Sequence, residues 1–91
     1  MNRLIRMPEL EKQTGLKKSK IYADISSGLL PKPVKVGAAA LWPLSEVEQI
    51  NKARIAGKSN DQIKVLVEKI HVEREVAVVA GNADAIDGGA E

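Results

Sequence analysis

The chain has 91 residues, which suffices for one domain and is too short for two. Hydrophobic residues make up 44% and charged residues 29%, as in ordinary globular proteins, but only 2% are aromatic and Phe is absent. We therefore expect a compact fold with a core of Leu, Ile and Val. Because Cys is absent, disulfides, thiolate nucleophiles and cysteine metal sites are excluded.

Charge is distributed unevenly along the chain. Residues 1–36 carry eight basic and three acidic side chains, a net charge of +5, whereas residues 37–91 carry six basic and nine acidic ones, a net charge of −3. This predicts a surface for a polyanion near one end, although such asymmetry also occurs without such a partner. No apolar stretch reaches the roughly 18 residues of a membrane span, and no signal peptide is apparent, so we expect a cytoplasmic protein.

The first predicted elements are a short extended segment and a helix. Residues 3–6 are either a short strand or an extended lead-in, because their apolar pair is flanked by charge and followed by Pro8. Pro is tolerated in the first helical turn, and Gly15 can take the left-handed conformation that closes a helix. A first helix is therefore predicted from Pro8 to Gln13.

A second helix is predicted to begin within two residues of Leu16 and to end at Gly28. Ile21 and Ile25 lie four residues apart and mark its buried stripe. The opposite face of the helical wheel carries small and polar residues, which we expect to be exposed. They are Ser19, Lys20, Ala23, Ser26 and Ser27.

A β-hairpin is predicted next, because Pro31 and Pro33 hold the chain extended and Val34–Val36 alternates as a strand does. Its second strand would contain Trp42, after a loop of Gly37 and the following alanines. The hairpin would place these two strands beside the second helix.

Two capping sequences predict two further helices. Ser45 and Glu48 match a capping box, so a third helix should begin there and end at Gly57. Its buried positions would be Val47, Ile50 and Ala53. Ser59 repeats the capping pattern and opens a fourth helix, whose apolar stripe packs either on its own domain or on a partner. That stripe is Ile63, Leu66, Val67 and Ile70.

This order of elements is typical of a winged helix-turn-helix fold, mainly α with a small β-hairpin and here with an extra C-terminal helix. Residues 1–57 would form the DNA-binding domain. Residues 58–80 would form the C-terminal helix, a candidate oligomerisation or partner surface. Residues 81–91 are small, polar and acidic, and we expect them to be disordered.

Basic residues cluster where such a fold meets DNA. Lys17, Lys18 and Lys20 surround the first turn of the second helix, where the helix dipole adds a positive end, although they could also form a solvated helix end. Lys20 and Ser19 are candidates for base contacts. The Tyr22 hydroxyl either reaches a phosphate or belongs to a half-buried core residue. The candidate DNA-binding residues are Lys17, Lys18, Ser19, Lys20, Tyr22, Ala23, Ser26, Lys32 and Lys35.

Several motifs occur in order along residues 3–56. They are residues 3–10, Thr14-Gly-Leu, Ser19-Lys-Ile-Tyr, Gly28, Pro31-Lys-Pro-Val-Lys-Val-Gly, Trp42 and Ser45-Glu-Val-Glu. In this the chain resembles the AlpA-type phage and prophage regulators, which are related to MerR-like and excisionase-like domains.

The resemblance implies a protein without catalytic centre, metal or cofactor that binds double-stranded DNA on a mobile element. It would act as a transcriptional regulator, as an excisionase assisting a tyrosine or serine integrase, or as both. It implies that adjacent DNA sites are occupied and bent, in the bacterial or phage nucleoid.

The chain departs from that family at three positions. Lys17 replaces a helix-capping serine, which removes the cap and adds charge. Ala23 replaces a frequent arginine, and Gly37 is followed by alanines rather than by an arginine for the minor groove. A neutral wing predicts weak binding by one domain, so affinity would come from self-association of several protomers on adjacent sites.

Other functions have less support from the residues. His71 lies three and four residues from Glu68 and Glu75, as a metal pair would, but a single histidine without cysteine favours a solvated surface residue and no enzyme. A protein-interaction adaptor, antitoxin-like or docking on an integrase, would use residues 61–79. DNA binding would use residues 17–35.

Overall fold

The structure, a computed structural model, describes residues 3–86, with side chains as far as residue 76. These residues form four helices and a three-stranded antiparallel sheet, an arrangement compatible with a small helix-turn-helix fold. None of the helices in this part of the chain combines the length and the apolarity that a membrane span requires. In chain order the elements are β1 (Leu4–Ile5), α1 (Met7–Thr14), α2 (Lys18–Ser26), β2 (Val34–Val36), β3 (Ala39–Pro43), α3 (Leu44–Ile55) and α4 (Asn60–Ile86).

The sheet has one strand more than the predicted hairpin. The extended segment at residues 3–6 contains β1, which pairs with β3 so that Ile5 lies opposite Trp42. β2 pairs with the other edge of β3, which gives the order β1-β3-β2. Gly37, with a φ of 60°, begins a tight turn, and Ala39 already belongs to β3. The loop is therefore shorter than the sequence indicated.

The first two helices match their predictions to within one or two residues. Gly15 closes α1 with a left-handed φ of 74°, and its N–H donates to the carbonyl of Glu11 at 2.8 Å. The Thr14 hydroxyl donates to the carbonyl of Leu10 at 2.8 Å and accepts from the N–H of Leu16 at 3.2 Å. These hydrogen bonds order the short connection between α1 and α2, so they restrict the angle between the two helices.

The third helix begins differently from its prediction. Pro43 is its N-cap and Leu44 its first residue, so the predicted capping box with Ser45 at the N-cap is wrong. The N–H of Leu44 donates to the carbonyl of Arg3 at 2.7 Å. The chain next to β1 thus accepts the first N–H of the helix, one of the donors that a helix cannot satisfy internally.

The capping box predicted for the fourth helix is confirmed. The N–H of Ser59 donates to Oε1 of Gln62 at 2.9 Å, and the N–H of Gln62 donates to Oγ of Ser59 at 3.2 Å. The helix runs to Ile86 rather than to residue 80. Residues 87–91, the end of the segment predicted to be disordered, lie outside the described residues.

The core joins every layer of the fold, including α4. Its members are almost all Leu, Ile and Val, as predicted, with one aromatic residue at the centre. They are Ile5, Leu10, Ile21, Leu30, Trp42, Val47, Ile50, Ile63, Val67 and Ile70. Since Ile63, Val67 and Ile70 are at most 4% exposed, the apolar stripe of α4 packs on its own domain.

Candidate nucleic-acid interface

The two faces of α2 differ sharply in burial. Ile21 is fully buried and Ile25 is half-buried against the core, whereas the predicted outer face is exposed along its whole length. That exposed face consists of Ser19, Lys20, Ala23, Ser26 and Ser27. Because most of its side chains are small, another macromolecule could approach this helix closely.

The beginning of α2 carries positive charge without compensation. Lys17 is the N-cap and makes no side-chain capping bond, as its replacement of a capping serine predicted. Lys17 and Lys18 are both exposed, and no acidic side chain lies in the first turn. The helix dipole and the two lysines therefore act together on an approaching anion.

Lys20, the predicted base contact, is paired within the protein. Its Nζ lies 3.0 Å from Oδ1 of Asp24, one helical turn later, while 59% of the Lys20 side chain stays exposed. Asp24 is only 3% exposed and also accepts from Nη2 of Arg54 on α3 at 3.3 Å. Sequence analysis missed Asp24, although the spacing of four from Lys20 was a usable signal.

Tyr22 does not belong to the core. Its side chain is 49% exposed on α2, beside the lysines of the first turn. The residue thus lies outside the core cluster, and a contact of its hydroxyl with a phosphate stays a prediction. The hydroxyl is free to meet a ligand at the surface.

A groove of about 330 Å³ lies between the end of α2, the segment before β2, and α4. Its polar lining includes Ser26, Lys32, Lys64 and Glu68, and its apolar lining includes the buried Leu30. A Cβ on Gly28 would lie 3.7 Å from Cγ of Lys64, so the lysine stem passes over this glycine. Lys64 is a basic neighbour of α2 that the sequence pattern on α4 did not reveal.

The backbone of Lys32 is held by two side chains of α4. Its N–H donates to Nε2 of His71 at 3.1 Å, and its carbonyl accepts from Nη2 of Arg74 at 2.9 Å. Arg74 is held in turn by Glu46 on α3, with Nε 2.8 Å from Oε2. The Lys32 side chain takes no part in these bonds and is exposed.

His71 is a half-buried acceptor rather than the solvated surface residue that was predicted. Burial lowers the pKa of its imidazole below the usual 6.5, and the charges of Arg74 and Lys32 lower it further, against opposing effects of Glu46 and Glu68. The neutral ring is the form that can accept from Lys32.

The β2–β3 hairpin presents one lysine and an uncharged tip. Lys35 is exposed on β2, opposite Ala40, and Gly37 and Ala38 form an exposed tip. The structure thus brings Ser26 and Lys32 to one groove and leaves Lys35 further along the hairpin. The lysines at residues 17–20 lie on the first turns of α2.

A family model described as Prophage CP4-57 regulatory protein (AlpA) matches residues 3–55. The match covers more than half of the chain, from β1 to the end of α3, and leaves α4 outside. Neither the curated proteins nor the solved structures gave a match. The chain therefore belongs to the AlpA family of prophage regulatory proteins.

Proposed function

We propose that the protein is a DNA-binding regulator of a mobile genetic element, built as a winged helix-turn-helix. In this proposal α1 and α2 form the helix-turn-helix, α2 enters the major groove as the recognition helix, and β2 and β3 form the wing. The observation that carries the proposal is the exposed, lysine-bearing face of α2 opposite the buried Ile21. Membership of a prophage regulatory family supports the same role.

The exposed face of α2 has the chemistry that a recognition helix needs. Lys17 and Lys18 supply attraction to phosphates, which sets orientation and register without reading sequence. Ser19 and Lys20 supply hydrogen-bonding groups for base edges, and the small Ala23 leaves room for the helix to enter the groove. Lys32 and Lys35 would contact the backbone beside it.

Within this role we propose that the protein acts as an excisionase, which assists an integrase, as a transcriptional regulator, or as both. The uncharged tip at Gly37 and Ala38 offers no cation to the minor groove, so one protomer would make few phosphate contacts. Protomers bound side by side on adjacent sites would gain affinity by acting at high effective concentration. Footprinting that shows one short site, filled without cooperativity, would contradict this part.

The test is DNA binding by the purified protein, measured by fluorescence anisotropy on duplexes tiled across the DNA that flanks its own gene. The Lys18→Ala/Lys20→Ala variant is compared with Lys58→Ala/Lys69→Ala, which removes the same charge outside the candidate interface. We expect only the first variant to bind more weakly, by about tenfold or more, and to flatten the salt dependence by about 0.9 for each phosphate that it no longer neutralises. Equal effects of both variants would overturn α2 as the recognition helix.

A second candidate function is a protein-interaction adaptor that docks on an integrase through α4. It is favoured by Val65, Val72 and Val76, which are 65%, 59% and 62% exposed. Spacings of seven and four residues place these valines on one face of the helix. The two functions separate if Val65→Ser/Val72→Ser binds DNA like the wild type but no longer binds purified integrase.

A further inference from the structure

The peptide groups around Lys32 are hydrogen-bonded to side chains of the protein, although this segment between α2 and β2 is exposed at Lys32. Both the N–H and the carbonyl of this residue are bonded to α4, through His71 and Arg74. The preceding carbonyl, that of Pro31, accepts from Nε1 of Trp42 at 3.2 Å. Pro33 follows and restricts the backbone of Lys32 further. The direction in which the Lys32 side chain leaves the backbone is therefore fixed from several sides.

We propose that Arg74 and His71 are positioning residues for DNA binding. By fixing the backbone of Lys32, they hold its ammonium group and strand β2, with Lys35, at a set place beside α2. This inference rests on the proposed function, since it assigns a purpose to bonds on the segment that leads into the wing. Neither Arg74 nor His71 needs to touch DNA.

The chemistry of the two α4 residues suits this role. Arginine carries several N–H donors in a rigid plane, so Arg74 bonds Glu46 and the carbonyl of Lys32 at the same time. Glu46 is only 8% exposed and lies on α3, so it anchors Arg74 to the core region. Neutral His71 supplies the acceptor that the N–H of Lys32 needs.

The energetic consequence concerns the free protein. A connection whose N–H and carbonyl were bonded only to water would sample several conformations, and DNA binding would have to order it. Because His71 and Arg74 bond its backbone, the segment around Lys32 is already ordered in the free protein, and DNA binding does not have to order it. The helix that supplies them lies outside residues 3–55, so an element beyond the family match would tune the affinity.

The test is a double-mutant cycle on the full chain. One arm is His71→Ala, and the other is Lys32→Ala/Lys35→Ala, which removes the side chains that are positioned. A second version uses Glu46→Gln/Arg74→Gln, which leaves the net charge unchanged and leaves no unpaired buried carboxylate. Affinities are measured for a labelled duplex from the DNA flanking the gene and for a random-sequence duplex of the same length. Circular dichroism reports folding of each variant.

We expect His71→Ala to weaken binding by about threefold or more when both lysines are present, and to have no further effect when both are alanine. His71→Gln, whose amide oxygen can accept from the same N–H, should recover part of the affinity. Lys69→Ala, an exposed change on the same helix, is the control. It should change the DNA affinity by the same factor whether Lys32 and Lys35 are present or replaced by alanine. If the charge-neutral double variant fails to fold, His71→Ala alone decides the outcome.

The possible results of these binding measurements distinguish the positioning role of His71 and Arg74 from the proposed function. Equal reductions in affinity from His71→Ala in the two backgrounds would show a general effect on the fold and would overturn the positioning role. If Lys18→Ala/Lys20→Ala abolishes binding while the cycle is additive, the proposed function survives and this inference fails. A wild-type protein that binds neither duplex overturns both.

Discussion

Arg54 on α3 and Asp24 on α2 form an ion pair between the two helices, with Nη2 3.3 Å from Oδ2. The same guanidinium nitrogen donates to the carbonyl of Leu29 at 3.2 Å, just after α2 ends. Because Asp24 is 3% exposed, its carboxylate depends on these neighbours for the hydrogen bonds that water would give. The pair therefore fixes the orientation of α2 against α3.

The first prediction concerns this pair. Arg54→Met should lower the free energy of unfolding by about 2 to 4 kcal/mol, because it leaves a buried carboxylate with Lys20 as its remaining partner. Urea unfolding followed by circular dichroism measures the change. Lys20→Met removes only the exposed partner and should cost less than about 1 kcal/mol. If both variants lower the free energy of unfolding equally, the ion pair of Asp24 with Arg54 is no more important than the exposed one with Lys20.

A second prediction tests whether α4 is part of the domain. Ile70→Ala should lower the free energy of unfolding by about 2 to 5 kcal/mol, since the side chain is 2% exposed and its removal leaves a cavity. Val72→Ala, on the opposite face of the same helix, should change it by less than about 0.5 kcal/mol. Thermal unfolding of both variants gives the comparison, and a small effect of Ile70→Ala would mean that α4 detaches freely.

The third prediction is a pH dependence of stability. Because the pKa of His71 is lower in the folded protein than its usual 6.5, the unfolded chain binds the proton more tightly. The stabilisation by neutral His71 is fully present above pH 6.5 and is lost as the pH falls through 6.5 toward the lowered pKa. Unfolding free energies measured across this window should fall more steeply for the wild type than for His71→Gln. Parallel curves of unfolding free energy against pH for the two proteins would contradict this prediction.

A fourth prediction adds a group that can bind DNA. Ala23 is exposed on α2, so Ala23→Arg places a guanidinium on the face proposed to bind DNA without disturbing the core. We expect tighter DNA binding and a salt dependence steeper by about 0.9 for one further neutralised phosphate, or a changed sequence preference if the arginine reaches a guanine. Val65→Arg adds the same charge on α4. If that control tightens binding equally, net charge rather than position is responsible.

Local patterns predicted most of this fold. Gly15 marked the end of α1, Ser59 the start of α4, and the spacing of Ile21 and Ile25 the buried side of α2. Each signal acts within a few residues, where backbone conformation or one helical turn decides the outcome. The face proposed for DNA binding follows from the same periodicity.

The features that sequence patterns could not predict depend on contacts between distant residues. Ser45 satisfied a capping motif, but α3 begins before it, at Leu44, whose N–H donates to the carbonyl of Arg3. His71 had the polarity of a surface residue, yet Lys32, on a remote segment, donates to it. Asp24 is buried because Arg54 approaches from another helix. Such partners are set by the tertiary fold, which no local spacing encodes.

The pairing of β1 with β3 constrains how the protein folds as it is synthesised. Leu4 pairs with Pro43, so the first strand has no partner until the ribosome has made most of the sheet. Helices α1 and α2 emerge between them, and the face of α2 that carries Ile21 stays uncovered while α3 and α4 are still missing. Nascent chains should thus expose apolar surface until α3 and α4 have been synthesised, and chaperones that bind such surface can act during that interval.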